Sequence, residues 1–132
     1  DPQMQKDIHD RVRKTAVSIA QASGAEAEVS IGLGAPVTWN DPALTERLVP
    51  SLERLVGGEK VRLSPPHTGA EDFAFFAEKI PSFYFWLGVV PPGTPADQIA
   101  PNHSPLFRVD EDALVYGVRA MAAMTVDYME GR

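Results

Sequence analysis

The sequence has no cysteine, which excludes a disulfide framework, a thiolate zinc finger and a cysteine nucleophile. It has no apolar run approaching the ~20 residues that span a bilayer. It has no basic cluster either: 12 Lys and Arg against 18 Asp and Glu leave a formal charge of −6. That balance lacks the electrostatic footprint of a nucleic-acid binder or a polybasic membrane anchor. The dinucleotide fingerprint is also missing, because Gly32-Leu33-Gly34 is followed by Val37 where a third glycine belongs, and no helix opens there. A Gly-x-Ser-x-Gly elbow and a phosphate-binding Gly-Lys-Ser/Thr loop are both absent.

What the chain has in excess is proline. Twelve in 132 residues is nearly double the average of about 5%. Eleven of the twelve lie between Pro36 and Pro105, and half lie between Pro81 and Pro105. With 44% hydrophobic residues the chain is not disordered, so the proline marks shaped loops. The length suits one domain. The start at Asp1-Pro2, without an initiator Met or a signal sequence, reads as a cut inside a longer protein, with a processed terminus as the alternative. The compartment stays open.

Local patterns predict alternating helices and strands. Asp1 caps a first helix with Pro2 at its first position and an apolar stripe of Met4, Ile8, Val12, Ala16 and Ile19, stopped by Gly24. Residues 26–33 alternate, with Ala27, Val29, Ile31 and Leu33 opposite Glu26, Glu28, Ser30 and Gly32, as in a half-buried strand. Gly34-Ala35-Pro36 is the candidate boundary. Asn40 or Asp41 caps a second helix striped with Leu44, Leu48, Leu52 and Leu55, which Pro50 should kink or split before Gly57-Gly58 ends it.

Residues 61–63 read as a short strand, and 71–79 as a short helix with Phe73, Phe76 and Ile80 inward. Residues 83–87 lack polar alternation and predict a strand covered on both faces. A long loop from Val90 to about Phe107 follows, and loops of that length are uncommon without a function. Asp110 caps a last helix striped by Leu114, Val118, Met121, Thr125 and Met129. The alternation argues an α/β fold.

Few residues suit chemistry. Of the three histidines, His9 reads as a solvated helix residue and His67 as a loop residue. His103 lies in Pro101-Asn102-His103-Ser104-Pro105, where flanking prolines stiffen the backbone, so it is either a plain loop residue or a ligand or proton carrier. Glu71 and Asp72 favour a helix N-terminus through their charge alone, and could instead orient a metal-bound histidine.

Five pieces occur in order over some fifty residues: Gly69-Ala70-Glu71-Asp72-Phe73, Ile80-Pro81, Leu87-Gly88, His103-Ser104-Pro105-x-Phe107 and Asp110-Glu111-x-Ala113-Leu114. Together they resemble the C-terminal end of the zinc-dependent aminoacylase and carboxypeptidase family, which includes hippurate hydrolases and auxin-conjugate amidohydrolases. The resemblance implies that residues 1–34 are the last helix and strand of a ferredoxin-like lid, and that residues 35–132 are the C-terminal part of an αβα metal-binding domain. It implies two divalent ions, zinc first and manganese or cobalt as alternatives, with a metal-activated water attacking an N-acyl amino acid or peptide-like amide beside a glutamate base. His103 matches the family's C-terminal metal-ligand histidine, and Glu71 and Asp72 its supporting acidic pair. No residue here matches the base or the other ligands, which belong to the family's N-terminal part. The chain alone is therefore expected to be inactive and to hold no metal tightly, since a catalytic zinc needs three protein ligands. The rival expectation is a catalytically silent interaction module. Homodimer formation through the lid is expected by family analogy, and no nucleic-acid or membrane partner is expected.

Overall fold

The computed structural model describes residues 1–132 and is built from helices and shaped loops. The helices are α1 (Pro2–Ala22), α2 (Pro42–Val56), α3 (Ala74–Ala77) and α4 (Glu111–Met129), with single 3-10 turns at Gly58–Lys60 and Ala96–Gln98. The residues divide into two compact units. One comprises Asp1–Trp39 with His67–Pro81, and the other Asn40–Pro66 with Ser82–Arg132.

The long helices start where their side chains can satisfy orphan backbone N–H groups. Asp1 accepts from the N–H groups of Gln3 and Met4, Asp41 from Leu44, and Asp110 from Asp112. Asp41, not Asn40, is thus the cap of α2. The α1 helix closes through Ser23 and Gly24, the latter at φ +69°, a conformation glycine takes without Cβ strain. Pro50 neither ends nor divides α2, which runs on to Val56. The hydrogen bond it forfeits belongs to the carbonyl of Glu46, and both residues are exposed, so water can replace the lost donor.

The core lies in the second unit, between α2 and α4. Leu48 and Leu52 meet Ala120 and Met124, and Leu44, Leu55, Val61, Phe83 and Phe85 pack around them. The leucine stripe of α2 is the one its spacing predicts. The stripe of α4 is not. Leu114, Val118, Met121 and Met129 are exposed, and the inward face is Ala113, Gly117, Ala120, Met124 and Asp127. The reason is that α4 is apolar nearly all round, so periodicity cannot select a face. Small residues decide instead: a Cβ on Gly117 would stand 3.0 Å from Leu87 Cδ2, so this face admits the closest neighbours.

The expected strands at 26–33, 61–63 and 83–87 do not form. A strand exists only through a ladder with a neighbour, and these three segments do not pair with one another. Their side-chain pattern persists without pairing. Ala27, Val29 and Ile31 are half-buried while Glu26, Glu28, Ser30 and Gly32 are exposed, although Leu33 turns outward. Residues 83–87 are covered on one face, not two. Phe83 and Phe85 join the core, while Tyr84 and Trp86 meet edge to face at 5.4 Å with Trp86 exposed.

In the first unit α1 has no buried residue, and Met4, Ile8, Val12 and Ile19 stand in the open. The expected helix at 71–79 shortens to α3, flanked by turns; Ala74 is its buried residue, and Phe76 and Ile80 point outward. No helix is long and apolar enough to cross a membrane.

Candidate functional site

The loop between Val90 and Val109 hangs from a single pinned stem. The Asp110 N–H donates to the Val89 carbonyl at 2.8 Å, and the Asp110 carboxylate then caps α4. Inside the loop, proline carbonyls open successive turns. Pro91 accepts from the Thr94 N–H at 3.2 Å and from its hydroxyl at 2.7 Å. Pro95 accepts from Gln98 at 2.9 Å and Pro101 from Ser104 at 3.1 Å. The excess proline therefore builds a chain of turns, each with a restricted φ at its opening residue.

His103 sits in the last of these turns at φ +71°, where no other residue but glycine has a positive φ. It occupies the third position of the turn closed by Pro101 and Ser104, the place where a type II turn requires left-handed backbone and favours glycine or asparagine. Holding an imidazole there costs roughly 1–2 kcal/mol relative to a relaxed backbone. The side chain is exposed. The Ser104 hydroxyl accepts from the Leu106 N–H at 3.2 Å and the Phe107 N–H donates to the Ser104 carbonyl at 3.0 Å, so the turn is braced on its C-terminal side.

Glu71 and Asp72 belong to the first compact unit and His103 to the second. Glu71 is half-buried, and its carboxylate accepts from the Phe73 N–H at 3.1 Å. Asp72 is exposed, and its carbonyl accepts from the Phe75 N–H at 3.0 Å. His67 is exposed and His9 half-buried. No group of three His, Asp or Glu side chains is arranged to hold a metal ion. The residues present do not fit a metal ion by themselves, since His103 offers one donor where a catalytic zinc takes three.

A polar cluster that sequence reasoning missed lies at the other end of the α2–α4 pair. The Ser51 hydroxyl donates to Asp127 Oδ2 at 2.6 Å, Arg54 pairs with the same oxygen, and Arg132 lies 3.8 Å from Oδ1. Ser51 and Asp127 are both buried. The Ser51 hydrogen bond lowers the Asp127 pKa most; burial opposes it, and the charges of Arg54 and Arg132 reinforce the lowering. Arg47 donates from Nη2 to the Tyr128 carbonyl at 2.6 Å and lies 4.6 Å from the centre of the Tyr128 ring, covering the C-terminal carbonyls of α4. The one signal in the sequence was an acid inside the apolar run 120–129.

The chain belongs to the peptidase family M20/M25/M40, whose description matches residues 2–127. It is similar to the uncharacterized hydrolase y4tI of Sinorhizobium fredii, at 27% identity over the whole chain and 32% of that protein. It is 33% identical to thermostable carboxypeptidase 2 of Saccharolobus solfataricus over 97% of the chain and 32% of that protein. It is 36% identical to the IAA-amino acid hydrolase ILR1-like 2 of Arabidopsis thaliana over 72% of the chain and 21% of that protein. The chain thus spans a third or less of the length of these relatives. No solved structure matches it.

Proposed function

We propose that these 132 residues are the C-terminal portion of a metal-dependent amidohydrolase that cleaves the amide bond of N-acyl amino acids or small peptide-like substrates. The observation that carries this reading is the family match across residues 2–127, joined by relatives named carboxypeptidase and IAA-amino acid hydrolase. Residues 35–132 contribute the C-terminal part of an αβα metal-binding domain, and residues 1–34 the last helix and strand of a ferredoxin-like lid. The segments 26–33, 61–63 and 83–87 become strands when neighbours from the longer protein pair with them, which the alternating burial of Ala27, Val29 and Ile31 supports. Two copies pair through the lid, which suits the exposed stripe Met4, Ile8, Val12 and Ile19 on α1.

In this reading His103 is the chain's direct contribution to a metal centre, zinc before manganese or cobalt, whose other ligands and general base lie outside these residues. Glu71 and Asp72 orient the ligands. The strained turn supports the assignment of His103, because a left-handed histidine is kept where its side chain has a use that glycine could not serve.

Zinc titration of the 132-residue chain tests the incomplete site: no stoichiometric tight binding is expected, and a micromolar one-to-one site would overturn it. In a full-length protein carrying this segment, His103→Ala should lower metal content and hydrolysis together. Full occupancy with unchanged activity would remove the assignment.

A further inference from the structure

We propose that Asn40 is the positioning residue for the His103 loop: its carboxamide sets the register of residues 82–89, and that register places the stem from which the loop hangs. Asn40 Nδ2 donates to the Tyr84 carbonyl at 2.8 Å, and Asn40 Oδ1 accepts from the Tyr84 N–H at 2.7 Å. One side chain thereby makes the paired exchange that a hydrogen-bonded residue of an antiparallel neighbour would make. The next residue adds a third link, with the Asp41 N–H donating to the Ser82 carbonyl at 2.8 Å.

Residues 83–86 are Phe-Tyr-Phe-Trp, aromatic at every position. Register is normally chosen by apolar-polar alternation, and a slip of one residue exchanges the two faces. Here a slip would replace Phe83 and Phe85 in the core by Tyr84 and Trp86, all large and apolar in the main, so hydrophobic burial discriminates weakly. A polar clamp on one backbone position removes the ambiguity. With Tyr84 held, Phe83 and Phe85 face the α2–α4 core, Leu87 reaches Gly117, and the Val89 carbonyl meets the Asp110 N–H. A slipped segment would carry a different carbonyl to Asp110 and alter the span available to residues 90–109. All these residues belong to one compact unit.

The functional weight of the clamp rests on His103 acting in the parent hydrolase, but its test needs no metal. Amide exchange and the His103 imidazole resonance are measured by NMR on the 132-residue chain. In Asn40→Ala, exchange at Tyr84 and at Asp110 should each quicken about tenfold or more, as expected when hydrogen bonds open. The His103 resonance should move. Leu48→Ala, which weakens the same core without touching these bonds, should leave that resonance in place.

Faster exchange at Tyr84 alone, with Asp110 and His103 as in the wild type, would make Asn40 a local staple and overturn the proposal. An equal movement of the His103 resonance in Leu48→Ala would overturn it too. If Asn40→Ala does not fold, Asn40→Asp decides. It keeps the acceptor for the Tyr84 N–H but loses the donor to the carbonyl until the carboxyl is protonated. Its protection factor at the Asp110 amide should therefore fall below that of wild type at neutral pH and approach it as pH falls, and a pH-independent difference would overturn the proposal. A metal-content result in the parent changes none of these outcomes, so failure of the hydrolase reading and failure of this one remain distinguishable.

Discussion

The Ser51 hydroxyl on α2 donates to the Asp127 carboxylate on α4 at 2.6 Å, joining residues 76 positions apart inside the helix interface. Arg54 and Arg132 supply the countercharge. A buried carboxylate is tolerated only when it is paired and hydrogen-bonded, and here it receives both kinds of support.

The lowered pKa of Asp127 makes this cluster a pH-dependent contributor to stability. A group whose folded pKa is depressed binds fewer protons in the native state than in the unfolded chain. Its contribution is therefore full above the unfolded value of about 3.9 and fades as pH falls toward the folded value. Asp127→Asn should lower Tm at pH 7 and flatten the decline of Tm below about pH 4. Thermal unfolding followed by circular dichroism from pH 7 to pH 3 checks both, and parallel curves for the two proteins would exclude the assignment.

The inward face of α4 makes a second prediction. Met124→Ala, on the face turned inward, should cost about 2–5 kcal/mol, the range for truncating a buried methionine. Val118→Ala, on the stripe that periodicity favoured but the structure leaves 72% exposed, should change stability by no more than about 0.5 kcal/mol. Urea midpoints measure the contrast. Comparable losses in both variants would mean that α4 turns its other face to the core.

These two sites also show what the sequence makes legible. Helix starts are written locally, so Asp1-Pro2 and Asp110 are visible as caps, the cap of α2 is narrowed to Asn40 or Asp41, and the leucine stripe of α2 names its own inward face. The face of α4 is not legible, because its two sides are nearly equally apolar and the choice falls to Gly117 and Ala120. The segment 83–87 reads as a strand because its residues favour one, yet a ladder depends on neighbours distant in sequence. Distance also hides the Ser51–Asp127 bond and the Asn40–Tyr84 clamp. The His103 loop is legible as a stiff loop through its prolines, whereas the left-handed backbone of His103 follows from turn geometry that the residue's identity argues against.

That backbone supplies the last prediction. A non-glycine residue at φ +71° carries about 1–2 kcal/mol of strain, and glycine relieves it while costing about 0.5–1 kcal/mol through the freedom it adds to the unfolded chain. The difference favours His103→Gly by about 0–1.5 kcal/mol. The 132-residue chain should therefore gain slightly in urea midpoint when its candidate ligand is removed, the reverse of what most substitutions do. A full-length hydrolase carrying the same substitution should lose metal at the same time. Stability rising as metal content falls would show that the turn holds a histidine at the expense of its own backbone. A clear loss of stability in the isolated chain would instead assign His103 a packing role and withdraw the strain from the case for a ligand.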